Sequence, residues 1–348
     1  MPKTILVIDD DAVNLLAAKK YLQQEYKVIA VNSGKTAIKY LQNHIPDLIL
    51  LDIMMPEMDG FELMECLQSN SDWKSVPVIF LTSDHSSDTE SKCLKAGAMD
   101  FVIKPFVDII LSSRIRHALE LSEARKDLEH RIVQMQSGII TSVANLIESR
   151  DGTTGEHVKR TREYVAYLLK KMCEQNLYSK QLTPKFISLL KEAAPLHDIG
   201  KIVIPDNILQ KPGIYTPDER AAMKAHAPAG GKLIRKNMHQ LQEKAFVDMA
   251  YAVATYHHER WNGNGYPEGL AGLDIPLEAR VMAIADVFDA LTSKRSYKEP
   301  ISFEDALKIM SNGSGSDFEP CLIEAFLSNP EELKLKTQEL HSSCCRRK

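Results

Sequence analysis

No apolar stretch in this chain approaches the roughly 20 residues that a membrane-spanning helix needs, so insertion into a bilayer is not expected. Its six cysteines (Cys66, Cys93, Cys173, Cys321, Cys344 and Cys345) include no CxxC pair and no framework spacing. That argues against a disulfide scaffold and for thiols kept reduced in the cytoplasm. Neither sign of charge prevails: the 348 residues sum to -4 at pH 7, which offers no broad attraction to nucleic acid or to membrane surfaces. Internal repeats and low-complexity tracts are missing too. Lys3 is followed by a short apolar run that three aspartates interrupt, so no secretory leader is expected. What remains is a globular composition, 44% hydrophobic and 26% charged, in a chain long enough for two domains.

Residues 1–120 alternate β-type runs with amphipathic segments. Thr4–Ile8, Lys27–Val31, Leu48–Leu51, Val78–Leu81 and Asp100–Ile103 are the expected strands, and Asn14–Leu22, Gly34–Asn43 and Gly60–Gln68 lie between them as helices. Continuous apolar strands separated by helices imply an α/β doubly wound, five-stranded parallel sheet covered on both faces. Its functional edge lies at the carboxyl ends of the strands. From Ile109 the pattern turns helical: Leu121, Leu128, Ile132, Met135 and Ile139 recur at spacings of three, four or seven, with Arg125 at one seam position. Residues 121–137 are therefore read as a connecting helix through which the chain would form a homodimer. Residues 138–332 show helical stretches separated by loops rich in Gly, Pro and Asn, an all-α domain. Residues 333–348, ending in the basic run from His341, are expected to be a flexible tail.

Polar residues gather at the strand ends of the first domain. Asp9, Asp10 and Asp11 follow the first strand, Asp52 ends the third, Thr82 ends the fourth, and Lys104 follows the fifth. Clustered carboxylates repel one another, and Mg²⁺ with its preference for oxygen ligands relieves that repulsion. A metal, a carboxylate nucleophile, a hydroxyl and a lysine form a set suited to making an aspartyl phosphate.

In the second domain five histidines stand in distinctive surroundings: His157, His197, His226, His257 and His258. Asp198 adjoins His197, and Asp286 lies in the apolar run that starts at Val281. Burying so many ionisable groups is costly without a compensating charge. Mixed imidazole and carboxylate ligands favour Fe, Mn or Zn over Ca, and seven donors exceed what one tetrahedral ion takes up. Two divalent ions sharing a carboxylate, with Fe or Mn favoured, account for the number and suit phosphodiester hydrolysis.

These residues resemble two families. The strand-end set over residues 3–120 is similar to the receiver domain of two-component response regulators, a flavodoxin-like fold. That resemblance implies phosphorylation of Asp52 by a cognate sensor histidine kinase, Mg²⁺ held by Asp9, Asp10 and Asp52, phosphoryl contacts from Thr82 and Lys104, and an aromatic switch at Phe101. Further on, His197-Asp-Ile-Gly-Lys201, Ile204-Pro-Asp-Asn-Ile-Leu209, the run from His257 to Gly265-Tyr266-Pro267, Asp286-Val-Phe-Asp-Ala-Leu291 and Arg295-Ser-Tyr-Lys298 resemble the HD-GYP branch of the HD phosphohydrolases over residues 138–328. Members of that branch hydrolyse cyclic di-GMP. The resemblance implies that His157, His197, Asp198, His226, His257, His258 and Asp286 are metal ligands, with Asp198 bridging. Lys201 would stabilise charge in the transition state, and Tyr266, Arg295 and Lys298 would hold the nucleotide. Thr153 stands where some members place a glutamate for a third metal, which favours two ions here.

Together the two halves describe a cytoplasmic response regulator in which phosphorylation controls metal-dependent hydrolysis of cyclic di-GMP to a linear dinucleotide or GMP. Two other readings share the pattern: the same chemistry on another cyclic dinucleotide, and a catalytically idle module that binds partner proteins. DNA binding lacks support, since no basic recognition helix appears.

Overall fold

The computed structural model describes residues 2–84, 86–150, 156–239, 243–293 and 300–342. Thr153, Arg295, Lys298, Cys344 and Cys345 lie outside them. Two compact units divide between Val133 and Gln134, inside the expected connecting segment.

The first unit is built on β1 (Thr4–Ile8), β2 (Lys27–Val31), β3 (Leu48–Asp52), β4 (Val78–Thr82) and β5 (Asp100–Ile103). All neighbours pair in parallel, in the order β2-β1-β3-β4-β5. Between them run α1 (Ala12–Leu22), α2 (Gly34–Leu41), α3 (Gly60–Ser69) and α4 (Ser87–Lys95). The period of two along each strand sorts the side chains into two cores. Ile5 and Val7 pack with Ala18 and Leu22 of α1, and with Leu111 and Ile115 downstream. Leu6 and Ile8 pack instead with Ala37 and Leu41 of α2, Leu63 and Leu67 of α3, and Cys93 of α4. Every residue of β3 and β4 is buried, which is why both read as unbroken apolar runs. The expected α/β class is therefore observed.

α5 (Asp108–Ser149) begins in the first unit and ends in the second, so the segment expected as a connecting helix is the middle of a longer one. Leu121, Leu128, Ile132, Met135 and Ile139 are all exposed on it.

The second unit is helical: α6 (Glu156–Glu174), α7 (Pro184–Ala193), α8 (Asp206–Leu209), α9 (Pro217–Lys224), α10 (His226–Met238), α11 (Lys244–Tyr256), α12 (Leu277–Thr292), α13 (Phe303–Asn312), α14 (Pro320–Leu327) and α15 (Pro330–Ser342). Short 3-10 turns at Ala194–Leu196 and Ile199–Val203 interrupt the series. Aromatic rings of α6, α12 and α14 centre the core: Tyr164 meets Phe288 edge-on with centroids 5.0 Å apart, and Phe288 meets Phe326 at 5.1 Å. The expected flexible tail needs correcting. Residues 333–342 continue α15, where Leu333, Thr337 and Leu340 are buried along one helical stripe. Lys336 of α15 pairs with Glu163 of α6 at 2.6 Å. The polar composition of this segment hides a spacing of four and three residues that is sufficient to dock a helix.

Among the described residues no helix is long and apolar enough to cross a membrane.

Candidate metal centre

Parallel register delivers the polar groups of the first unit to one rim. Lys104 Nζ lies 2.6 Å from Asp9 Oδ2 and 2.8 Å from Asp52 Oδ1. Asp9, Asp10 and Asp52 bring one carboxylate oxygen each within 4.8 Å of the others. Asp9 is buried and oriented: its Oδ1 accepts from the Asp11 N–H and from the Asn14 side-chain amide. Burial raises the pKa of Asp52; Lys104 opposes the rise and the charge of Asp9 adds to it. Three carboxylates facing one lysine leave negative charge that a hard cation offsets. Thr82 closes β4 on the same edge, where its hydroxyl accepts from the Asp84 N–H at 3.0 Å. Phe101 is half-buried against the sheet, with the Arg114 guanidinium 5.8 Å from its ring.

In the second unit the donors come mostly from helix ends. His157 opens α6, His226 opens α10, His257 and His258 follow α11, and Asp286 lies within α12. His197 and Asp198 sit between the two 3-10 turns. Asp198, His226, His257 and His258 form one group with donor atoms within 4.8 Å of one another; His157, His197 and Asp198 form a second. Asp198 belongs to both, and its two oxygens divide the work. Oδ1 is 3.2 Å from His226 Nε2 and 3.7 Å from His257 Nε2. Oδ2 is 3.5 Å from His197 Nε2 and 2.8 Å from the Lys201 ammonium. Asp286 joins the second group, with Oδ1 3.5 Å from His157 Nε2 and 3.9 Å from His197 Nε2. All seven expected donors therefore converge.

The imidazoles are aimed by what lies behind them. His197 Nδ1 donates to Ala194 O, His226 Nδ1 to Met223 O and His257 Nδ1 to Val253 O, each bond between 2.7 and 3.0 Å. Each ring is thereby fixed in the tautomer that turns the Nε2 lone pair toward the cluster. His157 is fixed by a carboxylate: its Nδ1 is 2.7 Å from Asp289 Oδ2. Two lone pairs then face each other, since His157 Nε2 and His197 Nε2 are 3.2 Å apart. Only a cation between or upon them makes that arrangement favourable. The buried Nε2 atoms of His226 and His257 have no hydrogen-bond partner among the described residues. A divalent-metal cluster fits this donor set. Without metal, a proton on His157 meets part of the same need: burial disfavours it, but the hydrogen bond and charge of Asp289 prevail and raise the pKa. His257 has no such anchor, and burial pushes it down to about 3, leaving a neutral ligand across the usual pH range.

Asp289 is a functional residue that motif reading passed over. It is 1% exposed and accepts from Arg160 Nε at 2.6 Å and Nη2 at 3.0 Å, as well as holding His157. Burial would raise its pKa, yet these partners hold it well below the usual carboxylate range. Its position three residues after Asp286, on the same face of α12, was the available signal. Asp289→Asn is expected to weaken metal binding by roughly 10- to 100-fold through misdirection of His157. It should also lower stability by about 3 kcal/mol, because Arg160 loses its counter-charge while largely buried. Metal titration and denaturant unfolding of the metal-free protein read the two effects separately.

Tyr266 of the Gly-Tyr-Pro signature stacks on His258, with ring centroids 4.7 Å apart at 28°. Gly265 makes this possible: a Cβ there would stand 2.4 Å from Arg260 N and Glu259 Cα, so only glycine lets the loop lie against that backbone. The buried Glu259 carboxylate ties down the loop beyond, accepting from the N–H groups of Glu268, Gly269 and Leu270. Lys224 Nζ covers the Tyr266 ring at 4.9 Å.

Comparison with known proteins agrees with this geometry. The HD domain family matches residues 141–322, and the response regulator receiver domain family matches residues 5–116. A probable cyclic di-GMP phosphodiesterase of Vibrio cholerae is 42% identical over 341 residues, covering 93% of this chain and 77% of that protein. The cyclic di-GMP phosphodiesterase response regulator RpfG of Xanthomonas campestris pv. campestris is 33% identical over 340 residues, covering 95% and 88% respectively. A 3'3'-cGAMP-specific phosphodiesterase 2 of Vibrio cholerae is 39% identical over 194 residues, covering 56% of this chain and 35% of that protein.

Proposed function

The chain belongs to the phosphodiesterase family in which a response-regulator receiver is joined to an HD domain, and on that premise we propose that it hydrolyses cyclic di-GMP under control of phosphorylation at Asp52. The observation that carries the hydrolytic reading is the double membership of Asp198, one oxygen toward His226 and His257 and the other toward His197. Two divalent ions held by the seven donors would supply Lewis acidity to the phosphodiester and acidify the attacking water. Lys201, 2.8 Å from Asp198, keeps a positive charge at the edge of the cluster, where negative charge develops on the phosphoryl oxygens. The half-buried Tyr266 ring beside His258 offers an apolar wall to a nucleobase. Arg295 and Lys298, outside the described residues, remain proposed nucleotide contacts on family resemblance. The domain limits proposed are 1–120, 121–137 and 138–332, with α15 now added to the last of these.

The relative specific for 3'3'-cGAMP supports a second reading, the same reaction on that cyclic dinucleotide. Protein purified anaerobically and loaded with Mn(II) or Fe(II) is expected to convert cyclic di-GMP to a linear dinucleotide or GMP faster than it converts 3'3'-cGAMP. The reverse preference selects the second reading. Fully loaded protein that binds but never cuts either nucleotide would leave only an idle binding module.

Control by the receiver is proposed from the rim of Asp9, Asp10, Asp52, Thr82 and Lys104, with a sensor histidine kinase as phosphodonor and Mg²⁺ at the three aspartates. The exposed apolar stripe of α5 is proposed to pair with a second copy of the chain. A small-molecule phosphodonor with Mg²⁺ is expected to raise turnover in the native protein and to leave Asp52→Ala unchanged. Equal rates in all four samples would refute regulation through Asp52.

A further inference from the structure

The C-terminal end of α5 carries a buried carboxylate that no motif indicates. Glu148 is 4% exposed, and its Oε1 stands 3.9 Å from His157 Nε2. The same nitrogen is 3.2 Å from His197 Nε2 and 3.5 Å from Asp286 Oδ1. These separations suit the shell of a single ion. With metal–ligand bonds of about 2.1 Å, ligands at right angles lie about 3 Å apart and opposite ligands about 4 Å apart.

Helical phase explains how the carboxylate reaches this place. Ala144, Ile147 and Glu148 share one face of α5 and line a small cavity whose other side is formed by His157, His197 and Asp198. Leu146, between them in sequence, points outward and is 70% exposed. The end of the helix is clamped against the strand of chain that follows Asp198. Arg150 donates through Nη1 to Ile202 O at 3.1 Å and through Nη2 to Ile204 O at 3.2 Å, and pairs with Asp206 at 2.7 Å. The clamp holds this end of α5 against the cluster.

We propose that Glu148 is an additional carboxylate ligand on the His157 side of the cluster, supplied by α5 rather than by the HD helices. The inference rests on the metal-dependent reading above and deepens it. An extra oxygen donor raises the coordination number beyond four, which favours Mn or Fe over a tetrahedral Zn site.

The test needs no nucleotide. Metal-free full-length protein is titrated with Mn(II) alone, bound metal being counted by elemental analysis, and melting is followed with and without Mn(II). Glu148→Gln is expected to bind one equivalent of Mn(II) at least about tenfold more weakly. Its melting temperature without metal should stay near that of the native protein while the rise on adding Mn(II) shrinks. Glu148→Asp, which keeps the charge on a shorter arm, should weaken binding less than Glu148→Gln, and Glu156→Gln should bind as the native protein does. If Glu148→Gln fails to fold, Glu148→Asp alone must still show weaker binding than native. Superimposable Mn(II) isotherms for native protein and the tested Glu148 variant would overturn the proposal without touching the phosphodiesterase reading. A loaded protein unable to cut cyclic di-GMP would overturn that reading and leave Glu148 in place.

Discussion

Asp198→Ala is expected to empty both halves of the cluster and to lower turnover by roughly 10³-fold or more, the equivalent of several kcal/mol of lost metal-ion catalysis. The expectation follows from the division of its oxygens, 3.2 Å from His226 on one side and 3.5 Å from His197 on the other. Alanine removes the only residue common to the two groups of donors. It also removes a carboxylate that lies 2.8 Å from the Lys201 ammonium, so that more of this charge faces the remaining ligands. Asp198→Asn separates these effects. One oxygen remains, so one ion is expected to stay while the other is lost. Elemental analysis beside turnover should therefore give a graded series from native to Asn to Ala. An alanine variant that keeps two metal equivalents and turns over within tenfold of native would remove Asp198 from its bridging place.

Gly200→Ala is expected to be nearly as damaging while touching no donor. A Cβ at residue 200 would lie 1.9 Å from His226 O and 2.5 Å from Gly230 N. Both obstacles are backbone, so the 3-10 turn and α10 must separate. That overpacking should cost about 1–3 kcal/mol of stability. The displacement falls on the contact between Asp198 and His226, and a shift of about 1 Å in such a constellation is worth about 10²-fold in rate. Thermal melting and kcat of the metal-loaded protein measure the two consequences. Gly138→Ala serves as the comparison, since a Cβ there meets nothing within 4 Å. Equal kcat for the two variants would mean that the close approach does not position Asp198.

The strands were legible because each is a short apolar run that ends in, or is followed at once by, a polar residue, and their observed bounds differ from expectation by at most one residue. α4 was not, because Ser87–Lys92 is polar throughout and the helix buries only Cys93. α15 escaped for a related reason, its buried stripe being diluted by charged residues. The seven donors stood out since adjacent pairs such as His197-Asp198 and His257-His258 are improbable in an apolar setting. Their supports did not stand out. Val253, Met223 and Ala194 act through main-chain carbonyls, which carry no sequence mark. Glu148 precedes His157 by nine residues, and no spacing rule joins a residue at the end of one helix to a ring at the start of the next.

Those carbonyl supports bear on how the proposed metal would be acquired. Three of the five rings are held by carbonyls three or four residues before them, and a fourth by Asp289, so most of the cage is a product of folding rather than of ion capture. Small domains whose metal organises the chain unfold under a chelator. Here the chelated protein should stay native and take up metal again without refolding. On the proposed function, occupancy would then follow the supply of ions in the surroundings, and a change in available divalent metal would set turnover independently of any phosphate on Asp52.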